Sequence, residues 1–310
     1  MTNIFMLTQT GLRRLSEFEK GCWINVANPS TPELNEIHQK LHVPMQFLTD
    51  PLDLDEMARI EIEDEHILIV LRIPYYDKAD PDVPFITIPM GIIFTDRYVI
   101  TVCSKDIENF WDFFNGKPKT FYTESKNRFL LQIFFKSALT YLKHLKEIDK
   151  RTDVVERELQ KSMKNEELIQ LLNLEKSLVY FTTSLRSNEL VMERLDRFKA
   201  LKMTEDDKDI LDDVIIENRQ AIEMANINSN ILSGMMDAFA SVISNNLNQV
   251  VKLLTAVTII LMIPTLVTSL FSMNVKLPFQ ETVEAFHIII VISFIFSALG
   301  VLFFLKKKWF

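Results

Sequence analysis

"LLTAVTIILMIPTLVTSLF", Leu253–Phe271, contains no Asp, Glu, Lys or Arg. At 1.5 Å per residue it is long enough to cross a hydrocarbon core of about 30 Å. A second run, "AFHIIIVISFIFSALGVLFFL", Ala285–Leu305, is equally free of charge. Two such runs in succession are rare in soluble cores, so the pair predicts a transmembrane hairpin. Lys252 precedes the first run, Lys306, Lys307 and Lys308 follow the second, and the linker Ser272–Glu284 carries Lys276, Glu281 and Glu284. The positive-inside rule then puts both termini in the cytoplasm and the linker outside the cell or inner membrane.

The first span is not uniformly oily. At 100° per residue, Thr255, Thr258, Met262, Thr265, Ser269 and Ser272 fall within an arc of about 100°. Continued backward, the same spacing collects Val251, Asn248, Ser244, Ser241, Asp237 and Gly234. Hydroxyls on such a line suit either close helix packing or a water-filled path. Its continuation into Asn248 and Asp237 favours water, because a carboxylate in a dry interface is expensive. Two spans per chain cannot enclose a pore, so that reading requires several copies.

Before Lys252 the chain reads as a soluble, cytosolic protein. Its net charge of -8 argues against a nucleic-acid partner and suits a domain that handles cations. Cys22 and Cys103 lack metal-type spacing and read as core residues of a reducing compartment. The first hundred residues are mixed α/β. Strands are expected at Cys22–Asn28, Ile60–Glu63 and His66–Ile73, with two more in "PFITIPMGIIFTDRYVITVCS" around an Asp96-Arg97 turn. A helix opens at Ser30 or Thr31, and "DIENFWDFFNG" suggests a short helix ended by Gly116. From Ser125 the pattern is helical, with a hairpin over 125–200. A third helix starts at Thr204, where Asp207 completes an approximate capping box, and meets no proline before Pro264. The expected organisation is a cytosolic domain at 1–203, a stalk helix at 204–250 continuous with the first span, and a membrane hairpin with a basic tail at 251–310. No phosphate-binding glycine loop, paired-cysteine motif or nucleophile elbow marks an enzyme.

The stretches Asn248–Asn274 ("NQVVKLLTAVTIILMIPTLVTSLFSMN"), Lys306–Phe310 ("KKKWF") and Thr49–Arg72 ("TDPLDLDEMARIEIEDEHILIVLR"), with the short outer loop, resemble the CorA family of magnesium channels. The resemblance implies a funnel-shaped homopentamer. An α+β cytosolic domain, an αβα sandwich, would carry a long stalk helix followed by two transmembrane helices. The family's signature at the outer end of the first span is Gly-Met-Asn, and here it is Ser272-Met273-Asn274. Gly tolerates a left-handed backbone and close approach, which Ser resists at a cost of about 1 kcal/mol.

The resemblance further implies that Asn274 offers a ring of amide oxygens to a hydrated ion. Asn248 would form a polar ring at the cytoplasmic mouth, and Thr258 and Thr265 would line the pore. Leu254 and Met262 would be constrictions that gate by dewetting, with Val251 standing where the family often has Met. The transported and regulatory ion implied is Mg2+, with Co2+ and Ni2+ as further cargo. In the family, acids at subunit interfaces bind internal Mg2+ and hold the channel shut. An ungapped count from Asn248 selects Asp213 for that role, and Asp77, Asp80 and Asp82 are candidate partners from a neighbouring sandwich. The rival readings are a Zn2+ transporter on the same architecture, for which His287 is the one suggestive ligand, and a non-conducting membrane scaffold.

Overall fold

The computed structural model describes residues 1–8, 11–107, 110–111, 126–162, 165–197, 201, 203–273 and 284–307. The chain divides into two compact units, Met1–Gly234 and Met235–Phe310.

In the first unit, near-continuous apolar runs build central strands buried on both faces, and more polar runs build the edge strands. The strands are β1 (Thr2–Thr8), β2 (Gly11–Leu15), β3 (Trp23–Ala27), β4 (Arg59–Glu63), β5 (His66–Tyr76), β6 (Phe85–Phe94) and β7 (Val99–Cys103). They form one sheet in the order β2-β1-β3-β7-β6-β5-β4. Among the described strands, only β3 and β7 pair in parallel; the other neighbours are antiparallel. The turn between β4 and β5 is acidic, with Asp64 in the left-handed region at φ 53°. Of the helix expected in "DIENFWDFFNG", Gly116 and most of its neighbours lie outside the described residues.

The period of two in each strand sends side chains to opposite layers. Leu68 and Val70 of β5 pack with helix α1 (Thr31–Leu41) and the short helix α2 (Met45–Thr49), through Leu34, Ile37, Phe47 and Leu48. Ile69, Leu71 and Ile73 face the other way. There they meet α3 (Lys126–Ser162), α4 (Asn165–Arg197) and the first turns of α5 (Glu205–Phe271), through Phe129, Phe134, Met192, Leu195, Leu211 and Val214. The result is an αβα sandwich. Gly91 of β6 is required by close approach: a Cβ there would lie 2.3 Å from Cγ of Pro51.

Local chemistry starts the helices where the sequence suggests. The Ser30 N–H donates to the Glu33 carboxylate at 2.9 Å, and the Thr204 N–H donates to Asp207 at 3.0 Å. Where β4 ends, the Asn188 side chain of α4 substitutes for a neighbouring strand. Its Oδ1 accepts the Arg72 N–H at 2.9 Å and its Nδ2 donates to the Arg72 carbonyl at 2.7 Å. A buried backbone group left unpaired there would cost as much as a lost hydrogen bond.

The second unit consists of the C-terminal part of α5 and helix α6 (Ala285–Lys306). Both are long and apolar enough to cross a membrane.

Candidate functional site

Within the second unit, α6 packs against one side of α5. Gly300 of α6 allows the contact: a Cβ there would lie 3.0 Å from Cδ1 of Ile263 and 3.8 Å from Cγ1 of Ile260. Ala256, fully buried, stands on the same side of α5 as these two isoleucines. Ser293 of α6 is buried as well, its hydroxyl donating to the Ile289 carbonyl at 2.9 Å. Small residues at a helix contact permit this close approach.

The hydroxyl stripe lies elsewhere. At 100° per residue its centre is about 160° from the side that carries Ala256, Ile260 and Ile263. Thr255, Thr258, Thr265, Ser269 and Ser272 are all exposed in the protomer. So are Asp237, Asn248 and Val251 on the same line, with Leu254 at 61% and Met262 at 63% exposure. The span thus has a dry side sealed by its own partner helix and a polar side left uncovered by it.

The hydroxyls are oriented as well as aligned. Thr255 and Thr258 donate to the carbonyls four residues back, Val251 and Leu254, each at 2.8 Å. Thr265 does the same to Leu261 at 3.4 Å, and Ser241 to Asp237 at 3.0 Å. A hydroxyl that spends its proton on its own helix presents lone pairs outward. An outward row of neutral acceptors suits the waters of a hydrated cation, which are strong donors.

Helix α5 ends at Phe271, and Ser272 continues into a turn. The Ser272 N–H donates to the Thr268 carbonyl at 3.0 Å, and its hydroxyl to the Ser269 carbonyl at 2.8 Å. Among the described residues, the non-glycine positions with positive φ are Asn28, His42 and Asp64. Ser272 is not one of them, so the backbone strain expected of Ser in place of Gly is absent: the serine extends the last helical turn instead of leaving it. Met273 is exposed beside it, and Asn274 lies outside the described residues.

In the first unit, Asp213 sits on an unpartnered face of α5. Asp213, Ile216, Ile227 and Ile231 fall within about 60° of one another on the helix. All four are exposed, while Leu211, Val214, Ala221 and Ala225 are buried on the other side. Asp77, Asp80 and Asp82 occupy the loop 77–84 between β5 and β6, which the Asp77 N–H closes by donating to the Pro84 carbonyl at 2.7 Å. Asp77 also stands 3.6 Å from the Lys105 ammonium. Asp80 accepts the N–H groups of Asp82 and Val83 at 3.0 and 3.1 Å. Among the described residues, no group of three or more His, Cys, Asp or Glu is placed to hold a metal. Asp213 and the loop acids are therefore not gathered into a site within one protomer. His287, the suggestive zinc ligand, is exposed at the start of α6.

Sequence reasoning did not mark Lys105 or the dry contact at Gly300. The glycine among bulky residues of the second span was a usable signal for the latter. Lys105 gave none, since its pairing depends on the strand register.

Comparison with known proteins places these observations. A family model described as "CorA-like Mg2+ transporter protein" matches residues 18–307. The cobalt/magnesium transport protein CorA of Methanocaldococcus jannaschii is 25% identical over 292 residues, covering 93% of this chain and 90% of that protein. The magnesium transport protein CorA of Helicobacter pylori is 23% identical over 326 residues and aligns over the whole of both chains. The complete structure of the CorA magnesium transporter from M. jannaschii superposes with a TM-score of 0.87 at 24% identity, covering 100% of this chain and 99% of that one.

Proposed function

The chain belongs to the CorA-like Mg2+ transporter family, and from that premise we propose that it carries Mg2+ through a homopentameric pore lined by α5. As a family member it is a membrane transporter of divalent cations and not an enzyme. Magnesium as the principal cargo, with Co2+ also admitted, follows the names of its relatives, and Ni2+ is added as a divalent ion of similar chemistry.

One observation carries the pore reading. The side of α5 that bears Thr258, Met262 and Thr265 is the side that α6 leaves open, while Ala256 and Gly300 make the dry contact behind it. Copies of this chain arranged with that side inward enclose an axis that α6 does not block. Hydroxyl lone pairs along the axis accept hydrogen bonds from metal-bound water. Mg2+ gives up its water reluctantly, so such a path need not strip it. Asn274 forms the amide ring at the outer mouth, Asn248 a polar ring at the inner one, and Asp237 adds a carboxylate ring further in. Val251, Leu254 and Met262 form apolar constrictions that conduct only when wet.

Gating follows from charge. Asp213 on its exposed face meets Asp77, Asp80 and Asp82 of a neighbouring copy. Bound internal Mg2+ screens their repulsion and stabilises a symmetric closed state. Its loss lets the copies splay and wets the Met262 ring. Few, flexible carboxylate ligands give the millimolar affinity that such a sensor needs. Both termini are cytoplasmic in this arrangement.

Flux into liposomes tests the reading, with wild type, Ser272→Gly and Asn274→Ala each given Mg2+, Co2+, Ni2+ and Zn2+. Mg2+ flux lost in Asn274→Ala and kept in Ser272→Gly supports it. Zn2+ flux that exceeds Mg2+ flux replaces it with the zinc transporter. Flux equal to that of empty liposomes, from an intact assembly, replaces it with the scaffold.

A further inference from the structure

The loop that carries Asp77, Asp80 and Asp82 is gripped at its base by a side chain of α3, besides the Lys105 ammonium 3.6 Å from Asp77. Tyr76 closes β5 and Phe85 opens β6, and the two are the last register pair before the loop. Arg151 of α3 covers both. Its guanidinium carbon lies 4.8 Å from the Phe85 ring centroid and 5.5 Å from that of Tyr76. One of its terminal nitrogens donates to the Tyr76 hydroxyl at 3.1 Å, and its Nε stands 3.3 Å from Glu147. The Tyr76 and Phe85 rings meet edge to face at 5.2 Å, and His144 lies behind them, 5.5 Å from Phe85. Burial pushes the His144 imidazole down to about 4, so it is neutral in the cytosol and does not repel the guanidinium. Arg151 and Asp82 also line one cavity of about 420 Å3 between the loop, α3 and α4.

The same helix holds the other acidic element. Near its N-terminus, Arg128 stands 3.3 Å from Asp207 and 3.5 Å from Asp206 at the start of α5. From Arg128 to Arg151 the helix runs about 35 Å at 1.5 Å per residue. It is a strut with two arginine clamps, one near its N-terminus on the first turn of the helix that carries Asp213 and one about two-thirds along it at the acidic loop. The loop's other ties are the Asp77–Lys105 ion pair and the Asp77 N–H bond to the Pro84 carbonyl. Its internal hydrogen bonds, from Ala79 to Asp77 and from Asp82 to Asp80, shape its turns without tying it to the helices.

We propose that Arg151 is the positioning residue of the acidic loop: by gripping Tyr76 and Phe85 together it fixes the loop carboxylates relative to α3, and so sets the internal divalent-cation concentration at which transport shuts. The inference rests on the regulatory reading given above. Arginine suits the task because its planar cation stacks on rings and donates a directed hydrogen bond at once, which lysine does not do. Without the clamp, three carboxylates of like charge lose their tie to α3 and one stacked cation, keeping only Lys105 beside Asp77, and metal binding must first order the loop.

The test uses full-length protein in liposomes, with internal Mg2+ varied and Mg2+ flux recorded, alongside hydrogen exchange of the loop amides. Arg151→Met raises the half-inhibiting internal Mg2+ by about tenfold, a shift of the size lost with a partly buried cation–π contact and its hydrogen bond. Exchange at Asp77 and Ala79 quickens in the same variant. Arg151→Lys recovers part of both effects, and Tyr76→Phe, which keeps the ring and loses the hydroxyl, shows the smaller loss. An unchanged half-inhibiting concentration together with unchanged exchange overturns the proposal. So does an equal loss in Arg151→Lys and Arg151→Met, which would show that bulk repacking, not the planar clamp, was removed. A triple change of Asp77, Asp80 and Asp82 to Asn separates the two levels. If it leaves inhibition untouched while Arg151→Met still quickens loop exchange, the clamp stands and the regulatory reading falls.

Discussion

Replacing Thr258 by Val removes one hydroxyl per protomer and almost nothing else. The side chains are nearly the same size, and the hydroxyl bonds only to its own helix, to the Leu254 carbonyl at 2.8 Å. Stability should therefore hardly move. The effect on transport is larger. In the arrangement proposed, the outward lone pairs accept from water bound to a divalent cation, and hydrogen bonds to charged groups contribute about 1.5–3 kcal/mol net. An ion passing that ring loses one such partner at a time, so the barrier rises by about the same amount. At 1.4 kcal/mol per factor of ten, Mg2+ flux falls by about 10- to 100-fold. The control is Ser293→Ala, a hydroxyl on the dry side of α6 that is buried and bonded to its own helix. It should leave flux within about twofold of wild type. The assay is Mg2+ entering liposomes filled with an indicator dye, after assembly has been checked by size. Flux in Thr258→Val equal to wild type, or a greater loss in Ser293→Ala, refutes the reasoning.

Other perturbations follow from the same geometry. Met262→Ser replaces an apolar ring by a wettable one, and internal Mg2+ then inhibits flux incompletely in the same liposomes. Asp213→Ala raises the half-inhibiting internal Mg2+, and an unshifted inhibition curve removes Asp213 from the sensor. Gly91→Ala forces a Cβ against Pro51 at 2.3 Å and should destabilise the sandwich by about 1–3 kcal/mol, read as an earlier thermal melt. Asp207 carries a pH signature. Burial alone would raise its carboxyl, but hydrogen bonds from the Thr204 N–H and hydroxyl and from Arg128 outweigh this and hold it below the ordinary range. Stability from a lowered carboxyl is present above its unfolded value and lost as pH falls through the folded one. The melting advantage of wild type over Asp207→Asn should therefore be full near pH 6 and shrink below about pH 4.

Much of this architecture is written locally. The charge-free runs, the capping pair Thr204–Asp207 and the Asp64-Glu65 turn each depend on residues a few positions apart, and each occurs in the structure. The stripe on α5 was equally legible, because a helix converts sequence spacing directly into direction. The strands β1 and β2 were not read as strands. β2 is the edge of the sheet and carries Arg13 and Arg14 where a buried strand would be apolar, so its pattern is weak. The side of α5 taken by α6 depends on Gly300, some forty residues from its contacts, and the ring clamp depends on Arg151 meeting strands far earlier in the chain. Such pairings follow from topology, which no short window contains. The partner of Asp213 is illegible for a further reason: the chain alone does not bring Asp77, Asp80 or Asp82 into a shared site with it.

Cysteine accessibility along α5 tests the central claim most directly. The native background is low, since Cys22 and Cys103 are both buried and burial pushes the Cys103 thiol up to about 11. Thr258→Cys, Thr265→Cys, Ala256→Cys and Ile260→Cys are each exposed to a charged, water-soluble thiol reagent in metal-free liposomes. The account predicts rapid modification and blocked flux at positions 258 and 265, and protection at 256 and 260. Protection at 258 and 265, with modification at 256 or 260, would contradict it.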